Sequence, residues 1–217
     1  MKGLFIKDFL TLRRKYGPVR IAMDVLLIAV LMIAFGANGA IWVSFVLVPV
    51  EAMTMCMTLT NCDEQWKWQK YAFALPVSRA QIVRARYLTA GALASIGFAA
   101  SLAVNAAAAL AFSAYPPVLH LLLAAASLWL TLFALALVLP VGLSRGANAG
   151  FAAMFAVILA LLVLFGAAGF SAQAAGSALA FAARHVEVAL VLAICAVAAV
   201  CALSYGISVR LLRRARA

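Results

Sequence analysis

The residues able to do chemistry in this chain are few and widely spaced. Glu51 lies inside a long apolar run, two residues after Pro49. A charge at the middle of a bilayer costs about 2.5–3.5 kcal/mol on insertion scales. Glu51 is therefore expected to face the protein interior or a wet cavity, or to be protonated. Three roles stay open for it: a neutral hydrogen-bonded strut, a residue lining a polar path, or a proton relay. Pro49 releases a backbone carbonyl and can kink its helix, as moving or cavity-lining segments often do. Asn105 stands in another apolar run, where an amide is expected to hydrogen-bond across helices. Arg20 and Asp24 are spaced for an ordinary i,i+4 pair. His120 and His185 have no clustered ligands around them and are expected at the surface rather than on a metal. Cys56, Cys62, Cys195 and Cys201 form no CxxC pair and read as small buried hydrophobes.

Catalytic signatures are missing. The sequence has no Gly-x-x-x-x-Gly-Lys-Ser/Thr, so this chain does not bind ATP through a P-loop. It has no His-Glu-x-x-His and no Gly-x-Ser-x-Gly either. Nothing here points to an enzyme acting alone, nor to a cofactor or metal held by the chain.

The elements that carry these residues must sit in lipid. Of 217 residues, 68% are hydrophobic and only 11% charged, with a mean hydropathy of +1.13. Soluble domains carry about 25% charged residues, so this chain cannot cover a water-facing surface. The expected fold is all-α and polytopic, a single membrane domain over 1–217. A span needs about 20 apolar residues, and about six can be drawn: Ile21–Phe35, Ala40–Cys62, Tyr87–Ser113 (its helix starting near Ser78), Val118–Leu143, Ala149–Phe170 and Val186–Leu212. Turns are expected at Gly36-Ala37-Asn38-Gly39, at Tyr115-Pro116-Pro117 and at Ser144–Asn148. Gly91, Ser95, Ala99, Ala103, Ala107 and Ala111 form a small-residue stripe that would let two helices approach closely.

The net charge of +11 is explained by its distribution. With six alternating spans, sixteen of the seventeen Lys and Arg fall on one side and only Arg184 on the other. The positive-inside rule puts the basic side, with both termini, in the cytoplasm. Nucleic acid is not expected as a partner, because no basic patch is interleaved with stacking aromatics. The basic start lacks a suitable small-residue cleavage site and is not expected to be a cleaved signal. Within residues 1–18, Phe5, Phe9, Leu12 and Tyr16 fall on one helical face. That pattern predicts a basic amphipathic helix lying in the membrane interface, ended by Gly17-Pro18.

The most informative segment is Asn61–Arg86, the longest polar stretch. Asn61 with Glu64 predicts an N-cap pair opening a short cytoplasmic helix, stopped by Pro76. Ser78 and Gln81 then predict a capping box for the helix that returns to the membrane, with Val77 and Ile82 as its hydrophobic staple. Trp66, Trp68, Tyr71 and Phe73 either rest on lipid headgroups or anchor a soluble partner.

The run Asp63-Glu64 … Leu75-Pro76-Val77-Ser78-Arg79 … Ile82-Val83 … Arg86-Tyr87-Leu88 resembles the cytoplasmic loop of type-2 ABC transporter permeases. It is most similar to small bacterial permeases of the phenol-soluble-modulin exporter type. The resemblance extends to the six-span layout and the amphipathic start. It implies a permease in the bacterial plasma membrane that homodimerises, and a coupling helix, Glu64–Phe73 in the cytoplasmic loop 63–86, that docks on a separate ATPase holding the ATP-Mg. On that resemblance, Glu64, Trp66, Trp68, Lys70, Tyr71, Phe73 and Arg79 are the coupling residues. Glu51, Pro49 and Asn105 are candidates for the pathway. The outer segment 171–185 would cap it, and the substrate would be a hydrophobic or amphipathic peptide. The alternatives are a non-transporting anchor or sensor whose loop binds a regulator, and an ion-coupled transporter using Glu51.

Overall fold

A computed structural model describes residues 2–68, 71–72, 78–112, 115–170 and 186–214. The described residues include seven long helices and no strand. They are α1 (Lys2–Lys15), α2 (Pro18–Phe35), α3 (Ala37–Gln65), α4 (Arg79–Ala111), α5 (Pro117–Arg145), α6 (Ala147–Phe170) and α7 (Val186–Arg214). Five of them contain a stretch long and apolar enough to cross a membrane: α2, α3, α4, α5 and α7. The remaining expected span, Ala149–Phe170, falls within α6, 24 residues without a charge. The chain is an all-α polytopic membrane protein.

The breaks follow backbone chemistry. Pro18 opens α2 at a position where a missing N–H costs nothing. Gly36, with φ +56°, reverses the chain alone, so the expected four-residue turn is shorter than its sequence suggested. Gly39 already belongs to α3, and a Cβ there would lie 2.6 Å from the Leu31 carbonyl oxygen. The two backbones therefore meet at this hairpin. Inside α3, Val43–Leu47 widens into a π-helical turn just before Pro49. A proline crowds the carbonyl four residues back, and a wider turn relieves that crowding.

Helix α5 is the centre, packed against α3, α4, α6 and α7. The core is built from Met53, Met57, Leu59, Leu93, Leu135, Val138 and Leu139 with alanines at the closest approaches. Lipid tails are as apolar as these side chains, so close packing rather than water exclusion holds the helices together. Helix α2 differs: it has no buried residue and packs chiefly on α3. The stripe Ser95, Ala99, Ala103, Ala107 and Ala111 faces outward. The inner face of α4 is instead Ala90, Ala94, Ser101, Asn105 and Ala108.

Helix lengths set the ends. At 1.5 Å per residue, α2 spans about 27 Å, close to the bilayer's hydrocarbon thickness of about 30 Å. Helix α3 shares its turn with α2 but is eleven residues longer. Its far end therefore projects beyond the start of α2, and α1 packs beside that projection. Lys7 meets Asp63, Tyr16 meets Thr58 and Arg20 meets Glu51, so the chain walks along α3 as it goes. The face that α1 turns inward is Asp8, Thr11 and Leu12, while Phe9 is 45% exposed. Leu12 and Tyr16 pack inward, but Asp8 replaces Phe9 because its carboxylate has partners there.

Candidate functional site

At the projecting end, the short helix expected in the loop does not open at Asn61. Helix α3 runs on through Asn61–Gln65, and the chain turns at Trp66 and Lys67, the latter at φ +50°. No glycine or proline stops α3 at Asn61, and both acidic residues have other uses. The Asn61 amide oxygen merely accepts from Gln65 Nε2 at 3.3 Å. After the turn, Trp68 is half-buried, and Tyr71 and Ala72 are helical. Lys70, Phe73, Val77 and the segment 171–185, with its expected cap and His185, lie outside the described residues. Helix α4 opens as its sequence required. Ser78 Oγ accepts from the Gln81 amide at 3.2 Å, and Gln81 Oε1 accepts from the Ser78 amide at 2.8 Å. Arg79 is the first residue of that helix.

Beneath the loop lies a cluster of four charges. Arg86, only 6% exposed, pairs with Asp63 through one nitrogen and lies 3.2 Å from Asp8 through the other. Lys7 Nζ donates to Asp63 Oδ1 at 2.6 Å and lies 3.2 Å from Asp8 Oδ1. Thr89 donates to Asp8 at 3.1 Å, and the Lys7 ammonium sits 4.6 Å from the Trp68 ring centre. Two carboxylates and two cations balance, so charges in a poorly solvated place are mutually compensated. They join α1, the end of α3 and the start of α4. A cavity beside the cluster is lined by Leu4, Trp68, Ala72, Ile82, Val83 and Leu143, among others.

Glu64 is exposed, but one carboxylate oxygen accepts from the Ala147 amide at 2.8 Å. It therefore caps the start of α6, where a carboxylate complements the helix dipole. The turn it caps needs glycine: Gly146 sits at φ +92°, and a Cβ there would run into the same Glu64 oxygen. Among the described residues of the loop, Trp66 at 47% and Tyr71 at 65% exposure are the large apolar groups left uncovered. Tyr16 is half-buried, and burial pushes its phenol above its ordinary pKa; it stays neutral 3.4 Å from the Thr58 hydroxyl.

Two polar sites lie deeper. Arg20 pairs with Asp24 at 3.2 Å, as its spacing predicted, and also with Glu51 across the α2–α3 contact. Glu51 thus has a charged partner on a neighbouring helix. In the other half of the bundle, Asn105 is 1% exposed and donates to Ser44 Oγ at 2.8 Å. Ser44 and Ser101 lie 2.9 Å apart, and the Asn105 oxygen lies 3.2 Å from His120 Nδ1. Asn105 is the interhelical hydrogen-bonding group its position suggested. His120 is a correction: it is 2% exposed, not a surface histidine, because Asn105 and the Tyr115 ring hold it inside.

Sequence reasoning missed Asp8, Lys7, Arg86 and Thr89 as a unit. The one available signal was Asp8, the only acid in an otherwise basic helix. It also missed Tyr87, whose hydroxyl joins α4 to Ser204 at 2.5 Å and Ser208 at 2.9 Å on α7.

These features define a polytopic helical membrane protein with a structured loop root at one end of its bundle. Over residues 3–213 the chain matches the family described as ABC-2 family transporter protein, and it belongs to that family. No curated protein and no solved structure matches it.

Proposed function

We propose that this chain is the membrane-spanning subunit of an ATP-driven exporter, working as a homodimer and docking on a separate ATPase through residues 63–86. The observation that carries the reading is the exposed aromatic root, Trp66 and Tyr71, held on a rigid frame at the projecting end of α3 in a chain of the ABC-2 family. Aromatic side chains on a fixed frame are the usual anchors of protein interfaces. Glu64, Trp66, Trp68, Lys70, Tyr71, Phe73 and Arg79 form the docking surface, and Glu51, Pro49 and Asn105 belong to the path. Helix α6 makes a sixth crossing, which leaves both termini in the cytoplasm. ATP is bound and hydrolysed on the partner, and closure of the ATPase pair pushes on the loop. The cargo is a hydrophobic or amphipathic molecule, a peptide by resemblance, because the helices offer an apolar interior with few polar groups.

The test is purification of the tagged chain from its own cells, identification of any P-loop ATPase retained with it, and ATP hydrolysis by the reconstituted complex in liposomes. A stable complex whose hydrolysis rises when amphipathic peptides are supplied supports the proposal. A chain that retains no ATPase under conditions that preserve its fold overturns it.

A further inference from the structure

Helix α2 is held unlike the other spans. It buries no residue, and its chief packing neighbour is α3. Its firm attachments are the Gly36 hairpin at one end, the Arg20–Glu51 pair, and its covalent joint to α1 through Tyr16-Gly17. The cluster around Arg86 fixes α1 in turn: Asp8, Lys7, Asp63 and Arg86 are mutually paired, and Thr89 donates to Asp8. Side-chain exposures of 5% for Asp8, 7% for Arg86 and 13% for Asp63 keep water from competing for these pairs. A buried pair cannot be pulled apart without leaving an uncompensated charge, which is strongly unfavourable. Helix α1, the end of α3 and the start of α4 are therefore tied together at this cluster. Lys7 extends that tie to Trp68 in the loop.

We infer that Lys7, Asp8, Asp63 and Arg86 are positioning residues of the transport cycle: they make α1 a lever that carries displacement of the loop to the first span, α2. The inference rests on the docking reading above. A push on the loop root reaches the cluster through Trp68 and Lys7. The cluster cannot shear, so α1 tilts with it. The joint at Gly17-Pro18 delivers the tilt to the root of α2, where little packing resists it, and the Arg20–Glu51 contact sets how far α2 travels along α3.

The experiment uses the full complex in liposomes, with the four native cysteines replaced by alanine and Val19, 73% exposed at the root of α2, replaced by cysteine. The probe is a membrane-impermeant maleimide. Its rate of reaction with Val19→Cys is compared without nucleotide and with ATP plus vanadate. The expected nucleotide effect is about five-fold, the low end of ordinary coupling factors. Three glycines inserted between Gly17 and Pro18 leave the cluster and the loop untouched, and should remove the effect while the ATPase stays bound. Asp8→Asn, which keeps the shape and loses the charge, should reduce it similarly. The inference is overturned if the insertion or Asp8→Asn retains the full nucleotide effect, or if Val19→Cys shows none in a complex that binds and hydrolyses ATP. If the unmodified chain retains no ATPase, the docking reading itself fails and the lever with it.

Discussion

At the scale of single residues, the structure assigns work to groups that look unremarkable in sequence. Gly146 is the sharpest case. Its φ of +92° with ψ of 176° lies in a region that essentially only glycine occupies. A Cβ there also meets the Glu64 carboxylate that caps α6. Gly146→Ala should therefore cost about 1–3 kcal/mol and lower the thermal midpoint of the detergent-solubilised chain. An unchanged midpoint would show that the α5–α6 turn relaxes freely. Asn105 gives a milder expectation. It connects Ser44, Ser101 and His120 across three helices. Hydrogen bonds between membrane helices average about 0.6 kcal/mol and reach about 1.7. Asn105→Ala should cost about 1–2 kcal/mol because several groups lose a partner at once. Denaturant unfolding in mixed micelles reads it, and a loss of less than a few tenths would mean that water replaces the amide.

At the scale of elements, the loop root is where sequence and structure can be weighed against each other. If docking runs through it, Trp66 is its best-placed anchor, exposed at the turn that ends α3. Trp66→Ala should weaken ATPase retention by about 2 kcal/mol, roughly thirty-fold, as truncation of an aromatic anchor does. Titrating the ATPase onto immobilised chain measures it, and equal binding would make Trp66 a headgroup contact instead. The helices themselves were legible. Apolar length, Gly36, Pro116-Pro117 and the Ser78–Gln81 box each act through local backbone chemistry that a sequence states directly. The partners of charges were not legible. Asp63 and Glu64 look like a helix start, but they are taken up by Arg86, Lys7 and Ala147, up to 83 residues away. The same holds for His120, whose burial depends on Asn105 one helix earlier. Periodicity reports which residues share a face; only packing decides which face turns inward. That is why Asp8, rather than Phe9, points into the protein.

At the scale of the whole molecule, packing gathers at one end of the bundle the segments that carry most of the basic residues. The pairings of Lys7 with Asp63, Arg86 with Asp63, and Glu64 with the Ala147 amide bring the start of the chain, the loop root and the α5–α6 turn to one end of the bundle. Tyr87, near the start of α4, contacts Ser204 and Ser208, so the basic end of α7 lies at that same end. The Gly36 hairpin and the Tyr115 hydroxyl, bonded to Asn38 at 2.8 Å, mark the opposite end. Basic residues therefore collect at the end that carries the loop, and the positive-inside rule predicts that this end faces the cytoplasm. Two single-cysteine chains test this in intact cells: Ser177→Cys, between α6 and α7, and Gln69→Cys, in the loop. An impermeant maleimide added from outside should label the first and miss the second until the membrane is permeabilised. The opposite pattern would put the loop outside, beyond reach of any ATP-hydrolysing partner, and would remove the basis for a transporter driven through that loop.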